Sequence, residues 1–139
     1  MAGETDLEHI LASLSPVLSE QEFVFCTFVH GQIGDFLGME PMAHFVEPEG
    51  ITLIVKRETA ERFAVDFEGV FKCITLKVHS SLEAVGLTAA ISQHLAAHHI
   101  SANVVAAYYH DHVFVPVKLA YKAMHVLTEL SEQYQQKAG

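Results

Sequence analysis

The stretch Ile74-Thr-Leu-Lys-Val-His-Ser-Ser-Leu-Glu-Ala-Val-Gly-Leu87 joins a strand pattern directly to the start of a helix. Its first part alternates apolar and polar residues, which is the period of a half-buried strand, so we predict a strand over Phe71–His79. Ser80 and Glu83 have the spacing of a capping box. We therefore predict a helix from about residue 85 to residue 98, with Ile91 and Leu95 among its buried positions.

A hairpin and a long helix follow this stretch. Asn103–Tyr109 (NVVAAYY) is continuously apolar, which is typical of a strand covered on both faces. We interpret His110-Asp111 as a tight turn, His112–Val115 as the returning strand and Pro116 as the first position of the final helix. The apolar face of that helix consists of Ala120, Ala123, Met124, Leu127 and Leu130. This order is the split βαβ arrangement, an antiparallel sheet with helices on one face.

The first half of the chain repeats the same order. A strand predicted over Glu22–Val29 is followed by the glycine-rich segment Gly31–Gly38, which stands in place of the first helix. A hairpin over His44–Val55 and a short helix over Arg57–Phe63 come next. The segment Ala64–Gly69 is interpreted as a short closing strand.

A helix precedes this first repeat. Thr5 and Glu8 have capping-box spacing at its start. Its apolar face consists of Leu7, Ile10, Leu11 and Leu14. We therefore predict an α+β fold of two ferredoxin-like (βαββαβ) units with antiparallel sheets. The first unit, residues 1–69, is truncated by the missing first helix and is preceded by the helix just described, and the second unit spans residues 70–139.

The composition indicates a globular protein with a substantial core. The 139 residues are 50% hydrophobic, and 17 acidic residues against 8 basic ones give a net charge of −9. A nucleic-acid partner is not expected, because counterion release requires clustered Lys and Arg. Cys26 and Cys73 are too few for a disulfide scaffold and are predicted to be buried free thiols. Without a signal-peptide pattern or a run of about 20 apolar residues, we expect a cytoplasmic protein with no membrane insertion.

Motifs for catalysis and for metal binding are not found in the sequence. Gly31–Gly38 (GQIGDFLG) lacks the spacing of a dinucleotide-binding loop, and neither GxSxG nor a P-loop occurs. His94 and His98 have the i, i+4 spacing of metal ligands, but no HExxH motif and no nearby cysteine support such a site. We expect no catalytic residues, no metal and no cofactor.

Three runs of sequence carry a family resemblance. His110–Pro116 (HDHVFVP) and the stretch 74–87 resemble an ACT domain, and Glu47–Leu53 (EPEGITL) does so in the first half. The chain resembles stand-alone bacterial proteins with two tandem ACT-like units, which are related to aspartate kinase regulatory domains and to eukaryotic arginine sensors. The resemblance implies a non-enzymatic regulatory module of amino-acid metabolism or transport, which binds a free amino acid at the interface between ACT units.

The resemblance also implies where that ligand binds. Its charged ends meet the loop after the first strand of the second unit and the start of the next helix. The candidates in that loop are His79, Ser80, Ser81, Glu83, Val85, Gly86 and Leu87. The candidates at the hairpin are Tyr109, His110 and Asp111, with Glu47 and Glu49 near the matching place in the first unit.

Physical chemistry gives two of these candidates a role. A helix N-terminus offers free N–H groups to an anion, and Gly86 has no Cβ to keep a ligand carboxylate away. The alternative is that Gly86 only lets the helix pack on the sheet. Asp111 is a candidate partner for the ligand ammonium group, or else a turn residue that bonds its own backbone. We expect Asp111→Ala and Gly86→Val each to abolish binding while the fold stays intact.

Three functions are therefore open. The leading hypothesis is an allosteric amino-acid sensor that acts by differential binding. One alternative is a small enzyme in which His110 transfers a proton together with Glu47 or Asp111. Another is a structural protein that dimerises through exposed sheet edges. We expect a homo-oligomer, with a metabolic enzyme or a transporter as a further partner. The alternative is a monomer in which the two internal units already satisfy each other.

Overall fold

The computed structural model describes residues 6–138. Helices and strands alternate along this range, as an α+β chain requires. In chain order they are α1 (Leu7–Ala12), β1 (Pro16–Phe28), a 3-10 helix (Ile33–Met39), β2 (Ala43–Glu47), β3 (Gly50–Lys56), α2 (Arg57–Arg62), β4 (Phe71–Leu76), α3 (Leu87–Ala97), β5 (Asn103–Ala106), β6 (Asp111–Pro116), a 3-10 turn (Val117–Leu119) and α4 (Ala120–Ala138).

The six strands form one sheet in the order β2-β3-β1-β4-β6-β5. β3 pairs antiparallel with β1, with Phe23 opposite Lys56, and it pairs antiparallel with β2 on its other side. β5 and β6 form a further antiparallel pair, which places Ala106 opposite Asp111. The predicted α+β class with antiparallel strand pairing is confirmed.

The chain divides into two compact units. One consists of Met1–Ser19 with Lys72–Gly139, here called the terminal unit, and the other is Glu20–Phe71, here called the central unit. The division crosses β1, so this thirteen-residue strand supplies residues to both units. The boundary between residues 69 and 70 describes the sequence repeat and stays a prediction.

The terminal unit has its own core, to which α1, α3, α4, β4 and β6 contribute. The predicted apolar face of α1 is confirmed, because Ile10, Leu11 and Leu14 are fully buried. Ile91 and Leu95 of α3 are also fully buried, as their spacing predicts. From α4 the buried residues are Ala120, Ala123, Val126, Leu127 and Leu130, with Met124 packed at the margin.

α1 is fixed at both of its ends. The Asp6 carboxylate accepts a hydrogen bond from the His9 N–H at 3.3 Å, so Asp6 is the N-cap. The predicted cap, Thr5, lies outside the described residues. At the other end, the Ala12 carbonyl accepts hydrogen bonds from the Ser131 hydroxyl at 3.1 Å and from Gln135 Nε2 at 2.9 Å. These bonds tie the first helix to the last one.

The central unit has a separate core on one face of β1 and β3. Its buried residues are Val24, Cys26, Met39, Ile51, Leu53, Val55 and Ala60. The glycine-rich segment forms the 3-10 helix, which buries Met39 against this core. Gly50 opens β3 at φ +154, where a Cβ would stand 2.6 Å from the Phe28 carbonyl oxygen. The closing strand predicted over residues 64–69 is wrong, because this segment forms turns and irregular backbone.

Three predicted boundaries in the second half are also wrong. β5 ends at Ala106, and it is an outer strand of the sheet with exposed residues rather than a strand covered on both faces. The hairpin turn therefore lies at residues 107–110, and Asp111 is the first residue of β6. Pro116 ends β6 and caps a 3-10 turn, so α4 begins only at Ala120.

Candidate functional site

A cleft opens in the terminal unit between the loop after β4, the start of α3 and the β5–β6 hairpin. Its volume is about 60 Å³. The residues that line it are Ser80, Ser81, Leu82, Ala84, Leu87, Thr88, Ala106 and Asp111. The cleft therefore brings together the predicted loop and the predicted hairpin acid, which lie about thirty residues apart in the chain.

Asp111 is the charged side chain of this cleft. It retains only 7% of its accessible surface, and no hydrogen bond or ion pair from the described residues reaches its carboxylate. Burial raises the pKa of Asp111, and the nearby His112 and His110 oppose that rise. Its carboxylate oxygens are not among the fully buried polar atoms without a hydrogen-bond partner, so they keep contact with the water of the cleft. Such a residue is typical of a binding site and not of a turn that satisfies its own backbone.

Ser80 is a second polar group without a partner at the same place. It retains 8% of its accessible surface, and its hydroxyl has no hydrogen bond within residues 6–138. The next residue differs, because the Ser81 hydroxyl accepts a hydrogen bond from the Glu83 N–H at 3.1 Å. Ser80 thus offers the cleft a hydroxyl that can donate and accept.

The amino-terminal end of α3 also faces the cleft. This helix of eleven residues has Gly86 as its N-cap and no side-chain hydrogen bond there. Its first bond runs from the Ala90 N–H to the Gly86 carbonyl at 2.9 Å, so the N–H groups before Ala90 have no acceptor within the helix. Leu87 and Thr88 carry two of these N–H groups and line the cleft. Together with the helix dipole, they favour an anion at this position.

The predicted capping box of this helix is wrong. Ser80 and Glu83 lie in the preceding loop, and α3 begins at Leu87, four residues after Glu83. The spacing of Ser80 and Glu83 fits a capping box, but both residues belong to the loop that borders the cleft and not to the start of the helix. Because no side chain caps α3, its first N–H groups stay open to a ligand.

The backbone conformation and the packing at position 86 explain why a glycine stands there. Its φ of +99 is one that L residues rarely adopt, and a Cβ at this position would stand 2.9 Å from Leu7 Cδ2. Gly86 is not among the residues that line the cleft. These facts support the packing alternative, and the expectation that Gly86→Val leaves the fold intact stays a prediction.

Aromatic rings gather next to Asp111 in the hairpin turn. The ring centroids of Tyr108 and Tyr109 are 5.0 Å apart in an edge-on arrangement, and that of His79 lies 5.5 Å from Tyr109. Both tyrosines are exposed, and His110 Nδ1 lies 3.4 Å from the Val78 carbonyl oxygen. His79, Tyr109 and His110 thus lie together beside the cleft without lining it. Tyr108 was missed, although the doubled tyrosine in NVVAAYY marks the same turn.

The remaining candidates fall in different places. Ser80, Ser81, Leu87 and Asp111 line the cleft. Glu83 and Val85 are exposed, and neither lines it. The cleft residues that sequence reasoning missed are Leu82, Ala84, Thr88 and Ala106. They are small or apolar side chains with no chemical signature, and only their position in the fold reveals them.

Glu47 and Glu49 belong to the central unit. They lie at the β2–β3 turn, and both are exposed. The Glu47 carboxylate accepts a hydrogen bond from the Thr52 hydroxyl across the hairpin. Their assignment as ligand residues stays a prediction.

A histidine on β6 has its own polar neighbour. His112 Nδ1 lies 2.9 Å from the Thr75 hydroxyl oxygen. Burial lowers the pKa of His112, and His110 and Lys77 lower it further, while Asp111 acts in the opposite direction. Burial also raises the thiol pKa of Cys26 and Cys73, so both thiols favour the unreactive protonated form.

Within residues 6–138 there is no group of three or more His, Cys, Asp or Glu side chains arranged to hold a metal ion. In the same range, no helix combines the length and the apolar character that crossing a bilayer requires.

Two family models match the chain in tandem. Both are described as ACT domain, the first over residues 2–72 and the second over residues 69–129. Comparison with curated proteins gave no match.

Solved structures with a similar fold fall into two groups. A Vibrio cholerae protein of unknown function, titled a possible transport protein, is 48% identical over 91% of this chain and 97% of its own, with a TM-score of 0.83. The ligand-free regulatory subunit of aspartate kinase from Thermus thermophilus is 12% identical over 85% and 98% of the two chains, with a TM-score of 0.58. The aspartokinase alpha and beta subunits are 16% identical over 83% and 95%, with a TM-score of 0.65. These last two likenesses concern the fold alone.

Proposed function

This chain belongs to the ACT-domain family, and from that premise we propose that it binds a free amino acid in the cleft of the terminal unit. Two ACT domains in tandem support a regulatory ligand-binding module. In this proposal Asp111 binds the ammonium group of the ligand. The N–H groups of Leu87 and Thr88 bind its carboxylate, and the Ser80 hydroxyl contacts the same head group.

One observation carries the proposal. A single cleft contains the carboxylate of Asp111, which has no hydrogen-bond partner among the described residues, and the uncapped start of an eleven-residue helix. The first of these attracts a cation and the second attracts an anion. A free amino acid carries both charges, separated by one carbon atom. The family places its ligands between ACT units, and that location stays a prediction for this chain.

Binding at this place gives a route to regulation. A ligand shifts an equilibrium only through its different affinity for two states. In this proposal the ligand pairs with the charge of Asp111, so it favours whichever conformation or assembly keeps the carboxylate and the start of α3 in the positions that bind it. We propose that a metabolic enzyme or a transporter reads out this change. Location in the cytoplasm stays a prediction of the sequence.

We also propose that the chain forms a homo-oligomer. β2 is an outer strand of the sheet, so one side of its backbone has no neighbouring strand within the described residues. Phe45 and Val46 on this strand retain 47% and 74% of their accessible surface. An exposed apolar edge strand is an available surface for pairing with another chain.

The experiment for the amino-acid site is a thermal-shift series with the twenty amino acids at 10 mM. A ligand at 100 times its Kd adds about 2.7 kcal/mol, which raises the Tm of a chain of this length by about 5–10 °C. Asp111→Asn is expected to abolish the shift. The matched control is Glu83→Gln, which neutralises an exposed acid outside the cleft and leaves the shift unchanged. A shift that survives in Asp111→Asn, or its absence with all twenty amino acids, contradicts the proposal.

A further inference from the structure

Two histidines flank the carboxylate that the proposed function assigns to the ligand ammonium group. His110 is the last residue of the hairpin turn, and His112 follows Asp111 in β6. Because the Cα atoms of neighbouring residues are about 3.8 Å apart, both imidazole rings lie within about 10 Å of the carboxylate. A positive charge on either ring therefore acts on the same group as the ammonium group of a ligand.

Hydrogen bonds hold both rings in place. His112 Nδ1 lies 2.9 Å from the Thr75 hydroxyl oxygen of β4, and His110 Nδ1 lies 3.4 Å from the Val78 carbonyl oxygen. A carbonyl oxygen only accepts, so Nδ1 of His110 donates and its Nε2 is the nitrogen that takes up a proton. Histidine is the side chain whose charge ordinarily changes between about pH 5 and pH 8. Both rings are thus anchored titratable groups beside Asp111.

The other titratable groups of this region lie on β4, in the loop after it and in the hairpin turn, namely Cys73, Lys77, His79, Glu83, Tyr108 and Tyr109. Lys77 lowers the pKa of His112, as His110 does. Burial raises the thiol pKa of Cys73 and keeps it protonated, and Glu83 is exposed outside the cleft. The residues of β5 and the cleft-lining residues of α3 carry no ionisable side chain. Asp111 is therefore the carboxylate to which the two histidines are coupled.

This coupling has a definite sign. The charge of Asp111 raises the pKa of His112, and both histidines lower the pKa of Asp111. An ammonium group bound at Asp111 cancels the attraction between the carboxylate and a protonated ring, so it displaces protons from the rings. By linkage, proton uptake weakens ligand binding by the same factor. Because burial lowers the pKa of His112 from its ordinary value of 6.5, its contribution to the loss of affinity develops below that pH.

We propose that protonation of His110 and His112 lowers the affinity of the cleft for amino acids, so that the module responds to pH as well as to its ligand. This inference rests on the proposed function. One unit charge at about 8 Å in a partly hydrated site changes an affinity by roughly threefold to tenfold. The response to an amino acid is therefore strong at pH 7.5 and weakened at pH 5.5.

The test measures affinity by isothermal titration calorimetry at pH 5.5, 6.5 and 7.5. The probe is whichever of the twenty amino acids gives the largest thermal shift at pH 7.5. Its affinity is expected to fall roughly threefold to tenfold between pH 7.5 and pH 5.5 in the natural chain, and by less than about twofold in the double variant His110→Gln with His112→Gln. His98→Gln is the matched control and should keep the full pH dependence, because this exposed histidine lies at the other end of α3, about 16 Å from the cleft.

The outcomes separate the two proposals. If the affinity is the same at all three pH values while Asp111→Asn abolishes binding, the amino-acid site stands and the pH linkage is wrong. If the double variant loses as much affinity on acidification as the natural chain, the histidines are not responsible and the linkage is again wrong. If none of the twenty amino acids binds at any of these pH values, the proposed function fails and the linkage with it. Should the double variant not fold, as judged by circular dichroism, His112→Asn decides, since its amide can still bond Thr75 and a smaller fall in affinity is expected.

Discussion

Asp111→Asn is expected to stabilise the unliganded protein at the same time as it abolishes binding. The substitution keeps the size of the side chain and removes its charge. In the natural chain this residue is largely buried and its charge is partly desolvated without a hydrogen-bond partner among the described residues, whereas asparagine carries no charge to desolvate. Leaving a buried polar group unsatisfied costs about 1–3 kcal/mol, and more when it is charged. We therefore expect a gain of about 1 kcal/mol at neutral pH, the low end of that range, because the carboxylate still borders the cleft.

The pH dependence of this gain has a definite sign. Burial raises the pKa of Asp111 above its ordinary value of 3.8, so the folded state holds the proton more tightly than the unfolded state. The stability that protonation provides is fully present below pH 3.8 and is lost as the pH rises through the folded pKa. The advantage of Asp111→Asn is therefore absent near pH 3 and complete at neutral pH.

Urea unfolding followed by circular dichroism between pH 3 and pH 8 measures this difference. A gain of about 1 kcal/mol corresponds to a rise in Tm of about 2–4 °C for a chain near this length. Asp66→Asn, an exposed change in the central unit, is the control and should alter stability at no pH by more than about 0.5 kcal/mol. If Asp111→Asn is less stable than the natural chain at neutral pH, the carboxylate has a structural partner and the reasoning fails.

Two further variants test other features of the fold. Gly86→Ala forces a side chain into the φ of +99 and should cost about 1–2 kcal/mol of unfolding free energy, with the affinity for amino acids retained. In a Leu7→Ala background the steric part of this cost should disappear, and lost affinity with unchanged stability would instead place the ligand at Gly86. Val46→Lys on the outer face of β2 should reduce the mass seen in analytical ultracentrifugation to that of a single chain of 15.3 kDa, with circular dichroism unchanged. An unchanged oligomer would exclude this strand from the interface.

Patterns within one element predicted much of the architecture. The spacing of Ile10, Leu11 and Leu14 identified the buried face of α1, and the alternation around Ile74 identified β4. Such patterns work because a helix or a strand must present one apolar face to a core. The type of each main element followed from them, and the ends of several elements did not.

The wrong predictions concern features that depend on contacts between distant parts of the chain. The run NVVAAYY is apolar enough for a buried strand, but β5 lies at the margin of the sheet, and no local pattern records that position. Aspartate is a residue type that is common in turns, so the sequence predicted a turn at Asp111. Its burial in β6 depends on the position of the hairpin turn, which lies before it. In the cleft, the charged and hydroxyl groups had a chemical signature, whereas Ala84 and Ala106 had none.

The two hydrogen bonds that join α1 to α4 have a consequence for protein synthesis. The Ala12 carbonyl is held by Ser131 and Gln135, residues 119 and 123 positions later in the sequence. During synthesis α1 leaves the ribosomal exit tunnel well before α4. The central unit, Glu20–Phe71, has its whole sequence available long before that. Its core can therefore form while α4 is still being synthesised, whereas the terminal unit completes its own core only once α4 is available.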